Sequence, residues 1–391
     1  MSAATPTVQA RPPLWRNVRV LRWAFQAGFL LVVALVLLYL WGNLTGNLER
    51  LGVRTDFRYL RQPAGFAIPD SDFRSSQNVF QALLVGAKNT ATVAFLGILL
   101  ATLLGVIVGV ARLSTNWLVR RTAALYVESL RNVPVLIIII FWWAGILLRL
   151  PPLDDGSDVF GVFSISNRGL VLPSLDRTGG LGVFLVAFAL TAAAAAAIAV
   201  WRTRRFDATG EPHRRVLWAG SVLLAGLVVA FLVSGRPLGL SLPEGSQFAT
   251  AGGLRFSPEF AALLIALVLY TASHIAEIVR GSILAVSTGQ SEAASALGLS
   301  GFQRLRYVVL PQAFRISVPP MGNQYLNLTK NSSLGIAIGY YEMTRVTGIS
   351  ISQGGPAPQA ILVLMLFYLG FSLFIALVTN LINRRLEIKA R

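Results

Sequence analysis

The chain has 391 residues, 54% of them hydrophobic and only 13% charged, with 34 Lys and Arg against 17 Asp and Glu. That balance excludes an ordinary soluble globular domain. The formal charge of +17 does not call for a nucleic-acid reader either, because no segment between the apolar stretches is long enough to form a soluble basic domain. Apolar stretches of spanning length run at about 24–42, 89–111, 123–148, 181–201, 216–234, 259–283, 312–340 and 360–382. The expected fold class is all-α, a polytopic integral membrane protein of about eight transmembrane helices. The first stretch is longer than a signal-peptide core and lacks a small-x-small cleavage site, so it is expected to remain a span. In the second, Gly97, Ala101, Gly105 and Gly109 recur every four residues on one helix face, a pattern for close packing within the chain or against a partner. The alanine run from Ala192 to Ala197 suits close packing in the fourth. The seventh is interrupted by Pro319, Pro320, Gly322, Asn323 and Lys330, and is expected to be a broken helix or a short interfacial helix plus a span.

Charge tests this topology independently. With the N-terminus inside, the cytoplasmic segments hold 20 bases against four acids, Asp207, Glu211, Glu292 and Glu387, while the outer segments hold 12 bases against 11 acids. The net positive charge therefore sits almost wholly on the inner side, where basic loops face anionic lipid. Both termini are expected in the cytoplasm. The outer segment 43–88, with six bases and four acids, runs mildly against the rule, and a second outer loop, 149–180, contains Asp154, Asp155 and Asp158. A solvated loop is the first reading of that acidic trio and metal binding the second.

Several functions find no support in the residues. Cysteine is absent, so disulfides and thiolate metal sites are unavailable. The two histidines, His213 and His274, lack metal-spaced companions, and no lysine follows a glycine, so a phosphate-binding GxxxxGK[ST] loop is missing. ATP chemistry would have to come from another subunit.

Charge within a span is costly and is a functional hypothesis by default. In Glu128–Pro134, reading ESLRNVP, Glu128 and Arg131 lie three apart and can pair on one helix face, either as a structural ion pair or, with Asn132 and Pro134, along a translocation path. His274, Glu277 and Arg280 share another face and read equally as a helix-end network, a gate or a substrate contact. Asn323–Ser333, reading NQYLNLTKNSS, places Asn327, Lys330, Asn331 and Ser332 in a spanning-length segment, which argues for a water-lined cavity or a subunit interface. Lys330 can receive a substrate carboxylate, snorkel or pair with a neighbour.

The segment Gln290–Pro311, QSEAASALGLSGFQRLRYVVLP, joins two apolar stretches. Ser287 with Gln290 predicts one capping box and Ser300 with Gln303 a second, while Gly298 falls where a left-handed helix end is wanted. Pro311 should stop or bend the second helix.

Glu292, Ala293, Ala294, Gly298, Val308, Leu310 and Pro311 match the spacing of the EAA loop, and the chain resembles the permease subunits of binding-protein-dependent ABC importers, with Val308 replacing the usual Ile. EIVRGSILAV before the loop and LPQAFRISVPPMGNQYLNLTKNSSL after it resemble the polar amino-acid branch, the histidine, glutamate, glutamine, arginine and opine group. Length, extra spans and the RNVP segment are similar to the general L-amino-acid and glutamate/glutamine/aspartate/asparagine permeases.

The resemblance implies a type I importer permease core in the bacterial inner membrane. It implies an N-terminal segment, first helix and external loop at 1–88, a permease domain at 89–385 with additional helices at about 181–234, and a tail at 386–391. The implied function is ATP-driven import of polar L-amino acids delivered by a periplasmic binding protein, with the EAA loop coupling to two copies of an ABC ATPase. A second permease, heteromeric by resemblance, completes the pathway. The chain itself would be no enzyme and bind no cofactor, ATP and Mg being held by the ATPase. Another small polar solute such as an opine, an ion-coupled secondary transporter and a non-transporting scaffold are the alternatives.

Overall fold

The computed structural model describes residues 18–386 apart from 51, 53–55, 153–156, 160–162, 178–179, 210–213, 236–237, 242–243, 246–249 and 252. Asp154, Asp155, His213, Glu387 and the C-terminal bases lie outside the described residues. The helices are α1 (Val18–Arg50), α2 (Val79–Ala111), α3 (Trp117–Arg131), α4 (Val135–Ile140), α5 (Leu181–Thr209), α6 (Arg215–Val233), α7 (Pro258–Leu284), α8 (Thr288–Ala296), α9 (Gly301–Arg304), α10 (Leu310–Asn331), α11 (Met343–Ser352) and α12 (Ala357–Leu386).

The chain is a mostly helical membrane protein. Among the described residues six helices are long and apolar enough to cross a bilayer, namely α1, α2, α5, α6, α7 and α12, and the bent pair α3 and α4 can add a seventh. The expected count of about eight is close to this; the difference is α10, long enough but too polar to qualify on composition. Most of the large apolar side chains of α1, α5, α6 and α12 are exposed, as the lipid-facing side of a bilayer helix requires.

Two compact units are present. One comprises Met1–Ile68, Asp72–Leu84 and Val346–Leu369, the other Pro69–Ser71, Val85–Arg345 and Gly370–Arg391. In the first, residues between α1 and α2 fold into a tight turn rather than a plain loop. Ala64 N–H donates to Gln77 O at 2.8 Å, and Tyr59, Ile68, Phe73 and Leu83 are buried. As a result α2 begins at Val79, not at 89 as the hydropathy predicts.

The second unit is built around α7. Ser257 caps it, its Oγ accepting from Phe260 N–H at 3.2 Å, with Pro258 and Glu259 in the first turn, where a missing N–H and a negative charge are both favourable. Along α7, Leu263, Leu267, Ile275 and Ala276 are fully buried. The small-residue face of α2 supplies much of the cover. A methyl group at Gly105 would stand 2.7 Å from Ile275 Cβ, and one at Gly109 would stand 2.7 Å from Ala276 O. Of the two packing readings of that stripe, the structure therefore realises close approach within the chain.

Among the described residues eight short strands accompany the helices of this mostly helical chain. Strands β1 (Ser157–Val159), β2 (Phe163–Ser166), β3 (Gly169–Leu172) and β8 (Leu254–Phe256) form one antiparallel sheet in that order. The remaining strands, β4 (Ser174–Arg177), β5 (Leu238–Ser241), β6 (Glu244–Gly245) and β7 (Thr250–Ala251), pair as β4 with β5 and β6 with β7. The strands flank the α5–α6 hairpin. Arg202 of α5 lies 5.5 Å over the Trp218 ring of α6.

Two expectations about spans are corrected. The stretch 123–148 is not one helix: Trp117–Arg131 and Val135–Arg149, of which α4 is the first part, meet at 105°. Pro134 lacks an N–H and pushes Val133 out of helical geometry, so the chain turns there. Conversely, α10 runs unbroken through Pro319 and Pro320, and the change comes later, at the tight helical turn Ser332–Ile338 that ends in the left-handed Gly339.

The packing of α2 gives a direct test. Gly105→Ala is expected to destabilise the detergent-solubilised protein by about 1–3 kcal/mol. Gly97→Ala should cost less, because its new methyl meets only the flexible Leu328 side chain, at 3.1 Å. Thermal size-exclusion profiles of the two variants check the ranking.

Candidate functional site: the helix joint and the charged cluster beside it

Between α7 and α10 the chain makes two short helices at a fixed angle. Helix α8 ends in a full left-handed motif: Leu299 N–H donates to Ala294 O at 3.2 Å and Gly298 N–H to Ser295 O at 2.9 Å, with Gly298 at φ +75°. Ser300 then starts α9 with a reciprocal capping box, accepting from Gln303 N–H while its own N–H donates to Gln303 Oε1. The other predicted box does not form. Ser287 makes no side-chain cap: the Gln290 N–H donates to the Ser287 carbonyl at 3.1 Å, and the Gln290 Oε1 accepts from Gln312 Nε2 of α10 at 3.2 Å. Arg304 Nη1 donates to Ser295 Oγ at 2.9 Å and ties α9 back to α8.

After Arg304, Leu305–Val309 widen into a π-helical turn, and α10 starts with Pro311 in its first turn. Such a turn accommodates a proline that cannot donate to the helix behind it. What the joint presents outward is chemically distinctive. Ala294 is buried, whereas Glu292 and Ala293 are exposed and Glu292 forms no ion pair among the described residues. Leu297 is 81% exposed and Phe302 69%. A free carboxylate beside bare apolar side chains on a stiff frame is a surface made for a partner.

Next to the joint, Glu277 of α7 gathers three arginines. It accepts a hydrogen bond from Arg112, just beyond the end of α2, lies 3.0 Å from Arg280 Nη1, and is 3.6 Å from Arg131, the last residue of α3. Three guanidinium groups around one carboxylate leave an excess of positive charge. That excess is tolerable here because Arg112 and Arg131 stand at helix C-termini and Arg280 lies near another, where the helix dipole favours cations.

Residues 101–391 match the family model described as binding-protein-dependent transport system inner membrane component. The chain belongs to this family. It is 41% identical over 93% of its length to the general L-amino acid transport system permease protein AapQ of Rhizobium johnstonii, covering 92% of that protein. It is 37% identical over its whole length to the putative amino-acid ABC transporter permease protein YhdX of Escherichia coli, covering 97% of it. It is also 37% identical over 91% of its length to the glutamate/glutamine/aspartate/asparagine transport system permease protein BztB of Rhodobacter capsulatus, covering 91% of it.

In this inner membrane component the residues singled out by sequence divide into those the fold assembles and those it does not. Glu277, Arg280 and Arg131 come together. The expected pair of Glu128 with Arg131 is absent: Glu128 is exposed and makes no ion pair among the described residues, because Arg131 turns toward the more enclosed Glu277. Asn132 and Pro134 form the bend between α3 and α4. His274 stands edge-on to Tyr270 at 4.7 Å instead of joining the carboxylate.

On α10, Asn327 and Lys330 are exposed and share a face with Asn323, while Asn331 is half-buried and Ser332 is buried with its hydroxyl on Thr329 O at 2.6 Å. Sequence reasoning missed Arg112, which lies 165 positions from Glu277. Its only signal was a base immediately after an apolar stretch. It also missed Glu342, fully buried, which accepts from Thr344 and Arg345 N–H at the start of α11.

The cluster predicts a ranking. Arg112→Gln should lower the thermal midpoint in detergent more than Arg131→Gln, since the Arg112 side chain is 12% exposed and hydrogen-bonded, whereas Arg131 is 41% exposed and more distant. Equal losses would mean that Glu277 is not the organising charge.

Proposed function

We propose that the chain is the membrane-spanning permease of an ATP-driven importer for polar L-amino acids, working with a periplasmic binding protein, a second and non-identical permease, and two copies of an ABC ATPase. The substrate class rests on relatives at 37–41% identity over nine-tenths or more of the chain whose names specify amino acids. The observation that carries the coupling role is the joint: Glu292, Ala293, Ala294, Gly298, Leu310 and Pro311 lie in or beside a braced two-helix element with an unpaired carboxylate and exposed Leu297 and Phe302.

On this reading the joint docks on the ATPase. Its displacement on nucleotide binding is passed to α7 and α10, between which it is strung, and through Glu277 to the ends of α2 and α3. ATP and Mg belong to the ATPase, and this chain supplies no catalysis. The localisation is the bacterial inner membrane with both termini cytoplasmic, the orientation the distribution of bases favours. Asn327 and Lys330 on the exposed face of α10 then line the path or the contact with the second permease, since lipid alone would leave them unsatisfied. The permease domain is taken to span 89–385, with α5 and α6 as the added helices.

The test is a mild-detergent pull-down of tagged wild type and Glu292→Lys from native membranes. An ATPase and a second permease should accompany wild type, and the variant should lose the ATPase and amino-acid uptake while inserting normally. Undiminished uptake by Glu292→Lys rejects the coupling role.

A further inference from the structure

The end of α7 opposite the joint carries a cavity of about 330 Å³, lined from α2, from the start of α7, from Gly339–Tyr341 and from Pro69 and Asp70. Four charged residues border it, Asp70, Lys88, Arg255 and Glu259, and no ion pair joins any of them to another described residue. Asp70, Lys88 and Arg255 are exposed and Glu259 is half-buried, so the cavity offers both signs of charge, without an ion pair among the described residues, to a ligand that carries both signs.

The rest of the lining mixes aromatic and polar groups, Phe256, Phe260 and Tyr340 beside Asn89, Thr92 and Ser257. Phe256 and Phe260 stack at 4.9 Å, and Phe260 meets Tyr340 at 5.8 Å. Beneath them Asn89 Nδ2 donates to Tyr341 O at 2.9 Å, and Met343 N–H donates to Thr90 Oγ1 at 3.0 Å, holding the segment after α10 to α2. Asp70 is held at φ +54°, a left-handed conformation uncommon for a residue other than glycine.

We propose that this cavity binds an α-amino acid as its zwitterion, Lys88 and Arg255 taking the carboxylate, Glu259 and Asp70 the ammonium, and the aromatic wall the side chain. An inorganic ion would need one sign of charge only, and an acyl chain none. The volume is at the small end for ligand sites, of order 300–1,000 Å³, as a single amino acid requires. The proposal rests on the amino-acid import reading and adds to it a resting place at the end of the chain away from the ATPase, within this one subunit.

Binding is measured on the full chain in lipid nanodiscs, without binding protein or ATPase, using radiolabelled L-glutamine, L-glutamate and L-arginine. Saturable binding of at least one is expected, with no competition from analogues lacking either the α-amino or the α-carboxyl group. Lys88→Gln and Glu259→Gln should each weaken it about ten-fold or more, the scale of a lost charge-assisted contact, while Lys88→Arg retains it. No saturable binding to folded wild type, or equal binding by both neutral variants, overturns the proposal. ATP-driven uptake in liposomes with the partner subunits separates the two readings. Uptake without charge-dependent binding removes the cavity alone, and charge-dependent binding without uptake removes import alone.

Discussion

Glu277 is the point on which the larger unit turns. One carboxylate near the end of α7 engages Arg112 beyond α2, Arg131 at the end of α3 and Arg280 on its own helix. In a bilayer, helices gain nothing from burying apolar side chains against one another that lipid would not also give, so packing and polar contacts must hold them in register. Here the two kinds of contact divide the length of α2: Gly105 and Gly109 let its backbone close on α7, and Arg112 pins its end. The excess positive charge is matched by helix termini rather than by a second acid, which leaves the cluster responsive to any movement that draws one terminus away.

On the proposed coupling role, such movement would start at the joint. The joint begins just after α7 ends and is stiff by construction, with a left-handed glycine, a capping box and two side-chain ties across the elbow. On that role stiffness matters, because a loop that yielded would absorb displacement instead of passing it on. The π-helical turn before Pro311 lies on the α10 side of the connection, where the helix runs on without a break into α10.

How much of this was legible in the sequence follows the range of the interactions. Features set by a few adjacent residues were readable: the left-handed Gly298 and the Ser300–Gln303 box are as the residue types demand, and most spans fall where apolar runs place them. Features set by competition between distant partners were not. Gln290 had two options, a local cap with Ser287 or a tie to Gln312, and the choice depends on where α10 lies. Arg131 likewise left Glu128 for Glu277. Proline misled in both directions: Pro134 breaks a span because its neighbours permit a turn, while Pro319 and Pro320 sit inside a helix that neighbouring helices support.

That support is uneven around α10. One side is closed: Gly322 faces Thr379 of α12 so nearly that an added methyl would lie 2.5 Å from its Cγ2, and Val318, Met321 and Leu328 are buried. On the other side Asn323, Asn327 and Lys330 are exposed on a helix too polar to pass as an apolar span. Lipid cannot satisfy an amide or an ammonium, and no other described residue covers them, so this side calls for water or protein rather than lipid. A helix closed by packing on one side and polar on the other has a face that the described residues leave open. The same is true of the joint, where Leu297 and Phe302 are bare. The two surfaces are the two ends of one continuous stretch, Thr288–Asn331. On the proposed coupling role, placing both on one stretch of chain would let a partner seated on the joint act on the polar face through α10 itself, since α9 runs into α10 without a loop.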